Sequence, residues 1–151
     1  MIPERYTFRG KKIDGSEWVY GDLLTYRVLY VIFDKNRKQH ECDGLSIGQC
    51  TGLRDKNGVL IFEGDILRDP PKDKYDENNY VSYEVFFHDN DCCEQHIGFQ
   101  MNRHHFNGAI CGTSGFRGFK PEWTKRMIII GNRYDNPELI KTRAESEWII
   151  R

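Results

Sequence analysis

Apolar residues along the chain recur mostly at every second position, in short runs bounded by Gly, Asp, Asn and Pro. Alternation of that kind is the period of a strand, whose side chains point to opposite faces in turn, and it predicts a mainly β protein. The most informative stretch is residues 51–67. Asn57-Gly58 predicts a type I′ hairpin turn, whose two central positions both need positive φ. Val59, Leu60, Ile61 and Phe62 predict a strand buried on both faces. Glu63-Gly64-Asp65 predicts a sharp turn, and Ile66-Leu67 opens the next strand, so this stretch reads as the hub of a small β-barrel.

Upstream, strands are predicted at residues 6–10, 18–24 and 27–33, with a polar surface loop at 34–44 and a short strand at 47–53. Gly21 inside the second strand marks a bulge or a close backbone approach. Downstream, two prolines and many charges make residues 68–79 an exposed loop. Residues 80–88 alternate most clearly, with Val81, Tyr83, Val85 and Phe87 on one face and Ser82 and Glu84 on the other. Residues 97–101 are expected to pair with them. A glycine-rich loop follows at 102–120, then a last strand at 126–131. Asn136 as N-cap, Pro137 at the first helical position and Glu138 beside it predict a C-terminal helix. The expected architecture is a single domain over residues 1–151. It comprises an N-terminal β-hairpin extension (1–46), an SH3-like or open β-barrel with long loops (47–135) and a short helix (136–151).

Composition narrows the function. A length of 151 residues suits one domain, and 38% hydrophobic with 13% aromatic residues suits a globular β protein. A net charge of −1 argues against a dedicated non-specific nucleic-acid binder, which needs surplus Lys and Arg. The first ten residues lack the apolar run of a signal peptide, and no stretch approaches the roughly 18 apolar residues of a membrane span. The expectation is a soluble, cytoplasmic protein with no membrane partner. Five cysteines, an odd number, are expected as free thiols. Trp148-Ile149-Ile150 is a large apolar surface that suggests self-association.

Candidate chemistry is sparse. His88, Cys92, Cys93, His96, His104, His105 and Cys111 supply enough ligands for zinc, but no CxxC or HxxxH pair occurs and adjacent cysteines do not readily share an ion. No thiol has a neighbour that marks it as an activated nucleophile. Glu63 and Asp65 flank a glycine and form a conceivable acid–base pair; the structural reading, Asp65 fixing the turn through backbone amides, is preferred. Lys11, Lys12, Arg54, Lys56, Arg103, His104 and His105 provide basic groups near Tyr6, Tyr20 and Tyr26, the raw material of a stacking nucleic-acid face, but the tyrosines are expected to be half-buried. No phosphate-binding glycine loop is present. No catalytic, cofactor-binding or metal-ligating residue is therefore assigned, and no cofactor is expected.

Three segments resemble the YopX-like proteins of phages and prophages. The central one runs Gln49-Cys50-Thr51-Gly52-Leu53-Arg54-Asp55-Lys56-Asn57-Gly58 and then Ile61-Phe62-Glu63-Gly64-Asp65-Ile66. Arg9-Gly10-Lys11-Lys12-Ile13 with Glu17-Trp18-Val19-Tyr20-Gly21 is similar to the family's amino-terminal segment. Ile129-Ile130-Gly131-Asn132-Arg133-Tyr134-Asp135-Asn136-Pro137-Glu138-Leu139 is similar to its carboxy-terminal one. Residues 69–79 and 88–111 depart from the pattern. The resemblance implies a protein of mobile elements without a known biochemical activity. The expected function is a non-enzymatic, homo-oligomeric accessory module that binds a phage or host protein. A nucleic-acid-binding module and a small zinc-stabilised domain are the alternatives.

Overall fold

The computed structural model describes residues 2–88, 98–105 and 116–140. The chain divides into two compact units, residues 1–53 with 60–63 and residues 54–59 with 64–151.

In the first unit a short 3-10 turn, Glu4–Tyr6, leads into β1 (Phe8–Lys11), β2 (Trp18–Tyr26), β3 (Leu29–Phe33) and β4 (Gln39–Cys42). After a second 3-10 turn, Gly44–Ser46, come β5 (Gly48–Arg54) and β6 (Leu60–Phe62). These six strands form one antiparallel sheet in the order β4-β3-β2-β1-β5-β6. Alternation in β2 sends Val19 and Leu23 to one face, where Val19, Ile32 and Cys42 are buried with Phe8, Leu23 and Ile47 packed on them. The sheet curls around this core until β4 meets the end of β1. There Lys12 and Cys42 form an isolated bridge, Ile13 N–H donates to the Glu41 carbonyl at 3.0 Å, and Asp43 N–H donates to the Lys11 carbonyl at 2.9 Å. Gly10 lies where the curl is tightest: a Cβ there would stand 2.9 Å from the Cys42 thiol sulfur. Gly21 is required as expected, because a Cβ on it would stand 1.8 Å from the Phe33 carbonyl oxygen.

The second unit holds β7 (Asp65–Arg68), β8 (Val81–His88), β9 (Gly98–His105), β10 (Phe116–Gly118) and β11 (Ile128–Asn132) in the antiparallel order β10-β9-β8-β7-β11. Two single-turn helices, α1 (Lys74–Asn78) and α2 (Pro121–Thr124), complete it. Every residue of β7 is buried, and Ile66, Leu67, Val85, Met101 and Met127 form the apolar interior.

Several expectations are corrected. The protein is mainly β, but the described strands make two antiparallel sheets and no closed barrel, because each ladder keeps two ends. Residues 1–46 are not an appended hairpin; β1 to β4 share a sheet with β5 and β6. The Asn57-Gly58 turn is not type I′. Gly58 alone has positive φ, and its N–H closes a four-residue turn on the Asp55 carbonyl at 3.0 Å. This is a tight turn followed by a glycine in the left-handed region, the arrangement of a three-residue hairpin loop. Val59 is exposed rather than buried on both faces. The loop at 34–44 contains β4, whose partner strand supplies hydrogen bonds that a polar sequence does not advertise. In the 68–79 loop Asp73 caps α1 by accepting the Asp76 N–H at 2.9 Å. β9 extends into the expected glycine-rich loop, β10 lies within it, and α2 follows directly after it. At the carboxyl end residues 137–139 form a 3-10 turn with Pro137 at its start; Asn136 turns its Oδ1 back to the Asn132 N–H at 3.2 Å instead of capping forward. The rest of the predicted helix, with Trp148, lies outside the described residues.

Candidate functional site

Two arrangements of side chains exceed what the core requires. The first is the outer face of the β2–β3 hairpin. Alternate residues Trp18, Tyr20, Asp22, Leu24 and Tyr26 face away from the buried cluster, and the register places Phe33, Val31 and Leu29 beside Asp22, Leu24 and Tyr26. All six residues from Leu24 to Leu29 are exposed. Tyr26 is 62% and Val28 86% accessible, so the hairpin end carries Leu24, Tyr26, Val28 and Leu29 into solvent. The loop has two residues, and its first, Arg27, has φ +55, a left-handed conformation that is costly for a residue with a Cβ. At the hairpin's other end a groove of about 520 Å³ is lined by Trp18, Tyr20, Asp22, Phe33, Asp34 and Lys35 among others.

Charges around the groove are anchored to different degrees. Asp34 is tied into the β3–β4 turn: its Oδ1 accepts the N–H groups of Asn36 (2.8 Å) and Lys38 (3.0 Å), and its Oδ2 meets His40 Nε2 at 2.9 Å. The bond from His40, with those from Lys38 and Asn36, holds the Asp34 carboxyl below the ordinary range. The Asp22 carboxylate, by contrast, makes no hydrogen bond or ion pair among the described residues, although its backbone belongs to the β2–β3 ladder. Arg9 is 7% exposed and stacks over Trp18 at 4.7 Å and Phe62 at 5.2 Å, with Lys11 also over Trp18 at 5.4 Å. These stacks fix the indole at the groove wall.

The second arrangement is a buried polar row in the second unit. Register places Ser82 opposite His104 and Glu84 opposite Asn102 on one face of β8 and β9. The alternation in β8 was legible, but its polar face is not solvent-facing: Ser82 is 1% exposed, and His88, Gln100 and His104 are also buried. Glu84 Oε2 meets His104 Nε2 at 3.1 Å, and Arg133 Nη1 stands 3.8 Å from Glu84 Oε1. Serine, histidine and glutamate thus share a face without forming a relay. The Ser82 hydroxyl is closed to solvent, and no bond joins it to His104 among the described residues.

Of the other residues singled out, Glu63 and Asp65 fall in different units. Asp65 is buried at the start of β7. Asp55 is a further carboxylate that fixes a turn, accepting the N–H groups of Asn57 and Val59 at 2.9 Å; the sequence reading passed over it, although the Asp-x-Asn-Gly spacing of an Asx turn was an available signal. Tyr6, Tyr20 and Tyr26 are exposed, not half-buried. Cys42 and Cys50 are buried thiols without a disulfide. His88 packs edge-on against Phe86 at 6.4 Å. Cys92, Cys93, His96 and Cys111 lie outside the described residues. No group of three or more metal-ligating side chains occurs among the described residues, and no described helix is long and apolar enough to cross a membrane.

The family model described as YopX protein matches residues 7–141. The chain belongs to the YopX family. The YopX match spans both units and includes residues 69–79 and 88–111, which had looked like departures. Among solved structures the chain is similar to protein EF1440 from Enterococcus faecalis, at 22% identity and a TM-score of 0.52 over 89% of this chain and 97% of that one. That likeness is one of fold. No curated protein matches.

Proposed function

We propose that this YopX protein is a non-enzymatic, oligomer-forming accessory module of a phage or prophage, acting in the bacterial cytoplasm by binding protein. The observation that carries this reading is the exposed apolar end of the β2–β3 hairpin, Leu24, Tyr26, Val28 and Leu29. Burying one such side chain in an interface stabilises it by about 1–2 kcal/mol, so four together are a substantial reserve of binding energy left in water. The curled first unit, bridged at Lys12 and Cys42, serves as a small open barrel that presents the hairpin. The burial of Ser82 and His104, with Glu84 only slightly exposed beside them, supports the non-enzymatic reading, because a substrate would have to open the sheet face to reach the serine and the histidine. The test is the solution mass of the full chain by light scattering, with a chain ending at Leu139 as comparison. A mass above one chain supports the reading. A monomer that also recovers no protein partner from host extract refutes it.

A nucleic-acid reading rests on the exposed Tyr6 and Tyr26, with Arg5 and Arg27 over their rings. Salt-dependent retention of single-stranded DNA would support it, and no retention at low salt would end it.

A further inference from the structure

The hairpin end and the groove are complementary, and they sit on the same hairpin. The end carries one charge, Arg27, set among Leu24, Tyr26, Val28 and Leu29. Arg27 lies over the Tyr26 ring at 5.5 Å and makes no ion pair among the described residues. The groove presents the inverse: aromatic walls from Trp18, Tyr20 and Phe33, with two carboxylates, Asp22 and Asp34, against one ammonium, Lys35. Asp34 is occupied by its own turn, which leaves Asp22 as the carboxylate open to a cation. Asp22 and Arg27 cannot satisfy one another within a copy. Arg27 lies five residue steps along the chain from Asp22, about 17 Å in extended strand.

We infer that the β2–β3 hairpin end of one copy seats in the groove at the hairpin base of a second copy, with Arg27 pairing with Asp22 and Val28 entering between Trp18, Tyr20 and Phe33. The inference rests on the proposed oligomeric function and names its contact surface. The volume of about 520 Å³ accommodates the two loop side chains. Arg27 in its left-handed conformation completes a two-residue loop narrow enough to enter, and such strain is characteristic of binding elements. Reciprocal exchange between two copies gives a closed dimer, whereas one-way insertion gives a ring, and the mass distinguishes them.

The experiment uses the full chain and measures the association constant by analytical ultracentrifugation. Variants are Arg27→Asp, Asp22→Arg, their combination, and Val28→Asp, each checked for an unchanged circular dichroism spectrum. Because all three positions are solvent-exposed, folding should be retained. Each single variant is expected to weaken association at least about tenfold, and the charge-swapped combination to restore it to within about threefold. If the wild type is oligomeric and the single variants leave its mass unchanged, the contact lies elsewhere; this inference then falls while the oligomeric function stands. Weakening without rescue by the swap overturns the Arg27–Asp22 pairing. A wild type that stays monomeric at its solubility limit overturns this inference and the oligomer-forming part of the proposed function.

Discussion

Asp55 offers the sharpest test of how the second unit is held together. It is 5% exposed, and its carboxylate accepts three backbone N–H groups. Oδ1 takes those of Asn57 and Val59, both at 2.9 Å, and Oδ2 takes that of Ile129 at 3.1 Å. The Lys56 N–H adds a 2.8 Å bond to the Met127 carbonyl. The turn at 55–59 therefore closes on the edge of β11. In Asp55→Ala all three donors lose a charged acceptor. Each such bond contributes about 1.5–3 kcal/mol, but the Asn57 donor in an exposed turn recovers most of its loss from water. The expected cost is about 3–5 kcal/mol, carried mainly by Val59 and Ile129. Asp55→Asn retains one amide oxygen for the turn but directs an N–H₂ group at the Ile129 N–H, so it should cost roughly half as much and fall on Ile129. The assay is native-state amide hydrogen exchange, with urea unfolding for the global value. In both variants the Ile129 amide should lose protection, and in Asp55→Ala the Val59 amide as well. A cost below about 1 kcal/mol with Ile129 still protected would show that the carboxylate does not hold β11, and the account would fail.

Further perturbations test other parts of the fold. Gly21→Ala forces a Cβ to within 1.8 Å of the Phe33 carbonyl oxygen; the strands must separate, at an expected cost of about 3 kcal/mol or more, read as a lower urea midpoint. His104→Ala removes one partner of the largely covered Glu84 but leaves Arg133, so a loss of about 2 kcal/mol is expected, with the mass in solution unchanged. Burial raises the Cys42 thiol pKa. The folded state therefore keeps its proton after the unfolded chain has lost it, and stability should fall as pH rises from the ordinary thiol range through the raised value. The difference in urea midpoint between wild type and Cys42→Ala should narrow over that alkaline window and stay constant below it. Arg27→Gly relieves the left-handed strain and should leave the melting temperature equal or about 1–3 °C higher while weakening self-association.

The strands were legible wherever burial on one face wrote an alternation, as in β2 and β8. Gly21 was legible too, because an interior glycine in an apolar strand has few explanations besides a close approach. β4 was not: Gln39, His40 and Glu41 pair with β3 through backbone hydrogen bonds, and only Cys42 enters the core. The polar face of β8 shows the limit of such a pattern. Alternation shows that two faces differ but not which of them is covered, and here Ser82 is buried and Glu84 is paired with His104 rather than left in water. The turn at Asn57-Gly58 was placed correctly and typed wrongly, since Asp55 supplies side-chain acceptors that allow Asn57 to keep negative φ. As for the candidate site, Trp18, Tyr20 and Tyr26 were visible as aromatics, but their exposure depends on which side of the sheet curls inward.

The two polar arrangements carry opposite signatures, and the contrast gives each its role. A largely covered pair such as Glu84 and His104 is coupled to the surrounding sheet, so removing a member should register as lost stability whether or not anything binds. The hairpin end contributes almost nothing to the core: from Leu24 to Leu29 every side chain is exposed, and the conformation at Arg27 works against folding rather than for it. A segment that is apolar, exposed and locally strained has no stabilising role within its own chain to account for it. Under the proposed self-association its compensation comes from a second copy, where Asp22, whose side chain has no partner among the described residues, lies in an aromatic groove of matching chemistry.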